Sequence, residues 1–330
     1  MTPPVNSVKQ EEYMEVSAAQ ESQGRVQKSR LAYLGWKMVD HWQIYLLLLP
    51  GLTYFAVFKL APLWGLQIAF QDFNPYNRAK SVFVGLKYFQ EFFQSEVFWQ
   101  MLRNTLVLNL INLVFYFPMP IIIAIALSEI RFSKFKRLTQ SLVYLPHFLS
   151  WVVVASFTFF LLSYDQGIVN KILLSTTGDR FSFLTQPSLF WGILVGQTIW
   201  RETGWGTILF LAAISNINPE RYEAAAIDGA SRFRQVVSVT IPGMAPTIVV
   251  MLVLRLGQSF DVSLEQVLLM QNALVLSVGE VFDTYAYTQG ILRANFSIGA
   301  SVGLFKGIVN MLMVIGSNTL VKKFGHEGLY

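Results

Sequence analysis

Residues 222–242 read YEAAAIDGASRFRQVVSVTIP, a polar interruption between long apolar runs. Pro219 suits a first helical turn, Glu220 and Glu223 favour an N-terminal helix end, and Glu-Ala-Ala-Ala is strongly helix-forming. Gly229 permits a close backbone approach or a left-handed exit. Pro242 then breaks the chain before the next apolar run. The spacing predicts a short helix outside the lipid, held against a membrane domain. Ala224, Ala225 and Ala226 leave room for another surface, and Glu223 and Asp228 offer carboxylates to a basic partner. An ordinary amphipathic loop helix shares these features, so the stretch alone leaves both readings open.

The rest of the chain decides the surroundings. Of 330 residues, 53% are hydrophobic and only 14% charged. A soluble domain needs about a quarter of its residues charged, so this composition belongs to a membrane protein. There is no cysteine, which excludes disulfides and thiolate chemistry. His41, His147 and His326 are too far apart in sequence to suggest a metal centre. The first forty residues are polar, with no apolar core of signal-peptide length, and 1–42 reads as a tail. Apolar stretches of about 20 residues suffice to cross a bilayer as helices. Six are expected, near 43–64, 104–127, 141–162, 189–215, 245–270 and 297–320, giving an all-α membrane domain over 43–323 and a short tail at 324–330. Pro118 and Pro120 should kink the second span.

Lysine and arginine set the orientation. The segments holding Lys9, Arg25, Lys28, Arg30, Lys37, Arg131, Lys134, Lys136, Arg137, Arg221, Arg232, Arg234, Lys322 and Lys323 carry the larger share. The opposite segments hold Arg78, Lys80, Lys87, Arg103, Lys171, Arg180 and Arg293. Both termini and the loop 216–244 are therefore expected in the cytoplasm. The net charge of +5 is a topology signal and not a nucleic-acid surface.

Glu223-Ala-Ala, Gly229 six residues later, and Val-Thr-Ile-Pro ending at Pro242 resemble the signature loop of ABC-importer permeases. The likeness departs from that pattern only at Val239 and Ile241, both conservatively. It extends over most of the membrane part, through LLLPGLTYFAVFKLAPLWGLQIAFQDFNP (46–75), LRNTL (102–106), LRLGQSFDVSLEQVLLM (254–270) and EVFDTYAYTQGI (280–291). These stretches are similar to the carbohydrate-uptake branch that handles complex and acidic oligosaccharides, alginate and aldouronate importers among them. The resemblance implies a type I ABC-importer permease fold in the bacterial inner membrane, with a coupling helix carrying Glu223, Ala224, Ala225, Asp228 and Gly229. It also implies a second homologous permease subunit, two ATPase subunits and an extracytoplasmic solute-binding protein. No Gly-x-x-x-x-Gly-Lys-Ser/Thr run occurs in the chain, so ATP and magnesium would reside on the partner ATPases and no cofactor is expected here. The nearest approach, GASVGLFKG (299–307), reads better as close helix packing.

Arg201, Arg255 and Lys306 lie within expected spans, at depths of roughly 14–18 Å for a 1.5 Å rise per residue. A charge there costs at least about 2.5–3.5 kcal/mol on insertion scales. Such cations either pair internally, with Glu202, Asp261 or Glu265, or line a path for an anionic solute, which the planar fork of arginine suits. By the resemblance to maltose-type permeases, Trp205 falls on an aromatic sugar contact, and Arg255, Gln258 and Ser259 fall on polar contacts of the fifth span. Trp200 and Gln197 are weaker candidates. An importer of another solute, such as peptides, remains compatible with these residues. A channel or membrane-embedded enzyme would not need the Ala-rich docking helix.

Overall fold

Proline shapes the long helices of this protein. The structure, a computed structural model, describes residues 41–77 and 81–323. The chain falls into two units, Met1–Gly65 and Leu66–Tyr330. The described part of the first is helix α1 (Trp42–Phe55), which widens into a π-turn over Ala56–Leu60 and tightens into 3-10 winding over Ala61–Phe70, where it enters the second unit. The expected tails lie outside the described residues, apart from 41–42.

The second unit opens with a two-stranded antiparallel ribbon, β1 (Gln71–Asp72) and β2 (Val82–Phe83), with Gln71 opposite Phe83. Helix α2 (Lys87–Gln94) follows, then α3 (Glu96–Ile111), a π-turn (Asn112–Tyr116) and α4 (Pro118–Ser128). Next come α5 (Ser133–Tyr144), a 3-10 turn (Leu145–Phe148), α6 (Trp151–Leu162) and α7 (Ile168–Thr177). The 29-residue α8 (Pro187–Ser215) leads to α9 (Glu220–Ile227), then to α10 (Arg232–Gln235), a π-turn (Val236–Thr240) and α11 (Ile241–Gly257). Short helices α12 (Leu264–Met270), α13 (Leu276–Gly279) and α14 (Phe282–Tyr287) precede a π-turn (Thr288–Leu292) and the last helix, α15 (Phe296–Lys323).

Three of these π-turns share one cause. A proline ring clashes with the carbonyl four residues earlier, and for Pro62, Pro118 and Pro242 that carbonyl belongs to Phe58, Val114 and Ser238, each inside a π-turn. Widening the turn moves the carbonyl aside. The kink expected at Pro118 and Pro120 is thus absorbed one turn earlier, where the Phe117 amide donates to the Asn112 carbonyl at 3.0 Å. Pro50 and Pro246 sit inside helices without such a turn.

Among the described residues, four helices are long and apolar enough to cross a membrane: Trp42–Phe70, Glu96–Ser128, Arg232–Gly257 and Phe296–Lys323. A fifth crossing results if Ser133–Phe148 and Trp151–Leu162, bent by 101° at their junction, form one broken span. Helix α8 is long enough but too polar along its middle, around Arg201 and Glu202, to count with them by composition. The expected span 141–162 is therefore two helices. The expected span 245–270 is also corrected: its helix begins at Arg232, ends at Gly257, and gives way to irregular chain before α12. The loop expected over 216–244 accordingly closes near Ser231. The cause is that Pro242 widens the helix without stopping it.

Three buried clusters hold the second unit together. Phe190, Leu194 and Val195 of α8 pack with Leu108, Ala155 and Val267. Phe92, Phe98, Phe260 and Phe282 form an aromatic cluster with Met101 and Val302. Ala124, Phe210, Ile217 and Met244 form the third. Glycine allows the tightest approaches: a β-carbon on Gly204 would meet the Val143 carbonyl oxygen at 2.0 Å, and one on Gly299 would meet Gly290 Cα at 2.8 Å. Of the glycines in 299–307, only Gly299 has such a neighbour; Gly303 and Gly307 face open space within this chain.

Candidate functional site

The loop helix forms as its sequence dictates. Glu220 and Glu223 occupy the first turn of α9, where the helix dipole favours them. At the other end Gly229 has φ +76°, the Gly229 amide donates to the Ala226 carbonyl at 3.0 Å, and the Ala230 amide donates to the Ala225 carbonyl at 2.9 Å. This paired pattern is the Schellman motif, which requires a left-handed residue at its turn. Nothing lies within 4 Å of a β-carbon built on Gly229. Within this chain the glycine serves backbone conformation and not close approach.

Side chains on either side moor the loop. Ile217 is 9% exposed in the third core cluster, packed where Gly243 leaves room for it. The Tyr222 hydroxyl lies 3.0 Å from Oγ1 of the buried Thr240, and Arg232 pairs with Glu129 at 3.3 Å. Glu223, Ala224 and Asp228 remain exposed, as do Ile227 and Phe233, at 87% and 78%. The helix thus presents a fixed, partly apolar surface edged with carboxylates.

The three cations within the expected spans have different surroundings. Arg201 forms an ion pair with Glu202, donates from Nε to the Leu149 carbonyl at 2.8 Å and covers the Trp151 ring. Lys306 pairs with Asp283 and, at 3.1 Å, with Asp261. Asn310 ties the same group together, donating to Asp261 at 2.9 Å and accepting from the Phe260 amide at 3.1 Å. This network pins the irregular chain after Gly257 to α15. Internal pairing, considered for these cations from the sequence, is what the structure gives at both, and Lys306 finds Asp283 in addition to the expected Asp261.

Arg255 differs. Among the described residues no carboxylate lies within ion-pair distance of it, and its guanidinium sits 5.5 Å from the Tyr116 ring centroid. It lines a cavity of about 150 Å³ with Ser259, Asn109, Leu110 and Met313. The Asp261 and Glu265 partners considered from the sequence do not reach it. Tyr116 links this cavity to α8, because its hydroxyl lies 3.8 Å from a β-carbon built on Gly206, the residue after Trp205. Trp205 is 52% exposed and stacks on His147, ring centroids 4.7 Å apart and planes 7° from parallel. Gln258 is exposed, and the Ser259 hydroxyl donates to the Leu256 carbonyl at 2.5 Å.

Other candidates are packing residues. Gln197 donates to Thr158 Oγ1 at 2.7 Å and accepts from Gln266 at 3.0 Å, in a buried network joining α6, α8 and α12. Trp200 lies edge-on to Phe157 and lines an apolar cavity of about 480 Å³. Tyr116, Asp283 and Asn310 carry no signal in the sequence, and His147 is named there only as too far from the other histidines for a metal centre. His147 carried a usable signal, since an ionisable residue inside an expected span is functional by default.

Outside the candidate spans, Tyr88 donates to Asp72 at 2.8 Å, and burial followed by that carboxylate pushes its hydroxyl up to about 12. Burial also raises the Glu280 carboxyl, against the hydrogen bonds from Gln271 and Thr284.

Residues 104–325 match the family described as binding-protein-dependent transport system inner membrane component. The chain belongs to this family. Protein LplB of Bacillus subtilis (strain 168) is 47% identical over 292 residues, covering 88% of this chain and 92% of that one. The polygalacturonan/rhamnogalacturonan transport system permease protein YteP of the same organism is 44% identical over 295 residues, covering 89% and 92%. A solved bacterial alginate ABC transporter, in complex with an alginate pentasaccharide-bound periplasmic protein, contains a chain that superposes with a TM-score of 0.81 at 36% identity. The match covers 89% of this permease and 98% of that chain. The likeness to carbohydrate-uptake ABC-importer permeases read from the motifs is borne out.

Proposed function

We propose that this permease is one half of the transmembrane pathway of an importer for acidic oligosaccharides of the uronate type. In this reading six crossings place both termini in the cytoplasm of a bacterial inner membrane, with the bent pair and α8 each counting as one. A second, homologous permease completes the pathway. Two ATPase subunits bind and hydrolyse ATP with magnesium, and α9 docks on one of them through Glu223, Ala224, Ala225 and Asp228. An extracytoplasmic binding protein delivers the sugar. ATPase closure moves α9, and through the Ile217 and Tyr222 moorings this motion reaches α8 and α11, opening the central site by alternating access.

The observation that carries the acidic-solute reading is Arg255 in its cavity, a cation facing an aromatic ring with no carboxylate partner among the described residues. A guanidinium offers a uronate a fork of donors, and charge-assisted bonds of this kind are strong. Trp205 supplies an exposed aromatic face on α8, the helix that Tyr116 touches, with Ser259 and Gln258 available for sugar hydroxyls. The names of two relatives, one a polygalacturonan/rhamnogalacturonan permease and one from an alginate transporter, point to the same solute class. Arg201 and Lys306 are assigned to structure in this reading, since each already holds a carboxylate.

The test is uptake by the assembled transporter in vesicles, comparing a galacturonate oligosaccharide with a neutral glucose oligosaccharide. Arg255→Gln should lower apparent affinity for the acidic sugar about ten- to a hundredfold, the range expected for one charge-assisted hydrogen bond. The neutral sugar, if carried, should be spared. Equal loss for both would refute an acidic contact at Arg255.

A further inference from the structure

We infer that His147 is a positioning residue that holds Trp205 as a fixed platform for a sugar ring of the solute. The inference rests on the proposed pathway through Trp205 and goes beyond it by naming what gives that side chain its orientation.

His147 comes from the 3-10 turn between α5 and α6, at the 101° bend. Gly204 lets that segment lie directly on α8, since any β-carbon there would strike the Val143 carbonyl. The imidazole then stacks on the indole of Trp205 in nearly parallel planes. A parallel stack covers one face of the indole and leaves the other available. Phe148 adds an edge contact at 6.5 Å.

The ring of His147 is itself fixed. Its Nδ1 lies 2.8 Å from Oε2 of Glu202, and because an ionised carboxylate only accepts, the imidazole donates from Nδ1. Glu202 is held in turn by Arg201, which is anchored on the Leu149 carbonyl and the Trp151 ring. Glu202 and Trp205 sit close together on one stretch of α8, so the carboxylate that orients the imidazole and the indole that receives it share one rigid helix. A half-exposed tryptophan free to change rotamer would lose side-chain entropy each time a sugar stacked on it. Clamping between α8 and the bend removes that cost before the solute arrives.

The chemistry predicts which substitute works. Phenylalanine at 147 keeps the aromatic face against Trp205 and forfeits the bond to Glu202, whereas asparagine keeps a donor for Glu202 and forfeits the stack. The assembled transporter would be reconstituted in vesicles. KM and maximal rate would be measured for whichever of a galacturonate, an alginate or a neutral glucose oligosaccharide the wild type carries fastest. His147→Asn should raise KM about two- to tenfold, the worth of one aromatic pair, with a smaller change in maximal rate, and His147→Phe, which keeps the stack and loses only the Glu202 anchor, should raise KM less than His147→Asn. In a Trp205→Ala background, His147→Asn should add nothing further to KM, because its partner is gone.

Additive effects of the two substitutions, or rescue by asparagine and not by phenylalanine, would overturn the inference and leave His147 as a pin for the bend. No change in KM for Trp205→Ala alone would instead defeat the pathway through Trp205. That failure is distinguishable, because it does not depend on residue 147.

Discussion

Gly229 separates two explanations for a glycine in a docking loop, and the structure favours one. If the residue is glycine because another surface must come close, any side chain is harmful in proportion to its size. If it is glycine because the Schellman turn needs φ +76°, the harm follows conformational preference. Open space around the built β-carbon supports the second. A non-glycine residue in the left-handed region costs roughly 1–2 kcal/mol, and asparagine far less than alanine or valine. Helix α9 has only 8 residues, too few to persist alone, since isolated helices shorter than about 12–15 residues are marginal. Its integrity therefore depends on this cap and on the moorings at Ile217 and Tyr222.

A penalty of that size shifts the local opening equilibrium about five- to thirtyfold. Hydrogen exchange of the amides from Ala224 to Ala230 in the assembled transporter reads that opening directly. Gly229→Ala should speed exchange by this factor, Gly229→Val by at least as much because it is β-branched, and Gly229→Asn by less than about threefold. Substrate-stimulated ATP hydrolysis should fall in the same order. Asparagine as damaging as valine would show that space on the partner, and not backbone conformation, selects glycine at this position.

Other substitutions probe the moorings and the buried charges. Tyr222→Phe deletes only the hydroxyl that meets Thr240 and should cost about 0.5–1.5 kcal/mol, read as faster exchange in α9 with α8 unaffected. Lys306→Met leaves Asp283 and Asp261 facing each other without their cation. It should destabilise the protein by about 3–5 kcal/mol in thermal unfolding, with Asp283→Asn in the same chain restoring part of the loss. Glu280 is an acid whose folded value is raised by burial above its ordinary 4.5. Above pH 4.5 the folded state therefore holds the proton more tightly than the unfolded chain, and stability falls as pH rises through the folded value. Glu280→Gln should flatten that fall, so that the variant gains on the wild type between mildly acidic and neutral pH; parallel unfolding profiles would refute the assignment.

The parts of this protein that were legible in the sequence are those set by neighbours along the chain. The α9 helix and its glycine cap are local, and so is the pairing of Arg201 with the adjacent Glu202. Apolar runs located the long helices, but their exact ends depended on how a proline is accommodated. Pro242 looked like a terminator and proved to be a residue that a π-turn carries within a continuing helix. The 101° break at 149–150 was hidden for a different reason. The residues on both sides are apolar, and hydropathy has no term for the Gly204 contact that draws the backbone of α5 against α8. His147 was set aside as one of three scattered histidines, because its meaning lies in residues 55 and 58 positions further on.

The same distinction between local and distant partners bears on the three cations. Depth in the membrane could be read from position, and it made all three equally suspect. Their partners could be read only in part: Asp261 stood among the candidates, but Asp283 reaches Lys306 from another helix and could not be named. Once those carboxylates are placed, the cations divide by what a passing anion would have to do. At Lys306 or Arg201 a solute carboxylate must displace an existing partner and leave that partner uncompensated, which for a buried pair costs several kcal/mol. At Arg255 it displaces nothing, because the guanidinium rests on the Tyr116 ring, an interaction worth about 0.5–2 kcal/mol that a bound carboxylate need not break. A site that must load and release its solute in each cycle needs that modest resting stabilisation. Arg255→Lys then becomes the sharpest version of the test: it keeps the charge but loses the planar fork. Affinity for a galacturonate oligosaccharide should fall between wild type and Arg255→Gln. A lysine variant no better than glutamine, with uptake of a neutral oligosaccharide reduced to the same degree, would mean that Arg255 acts through Tyr116 and not on a solute carboxylate.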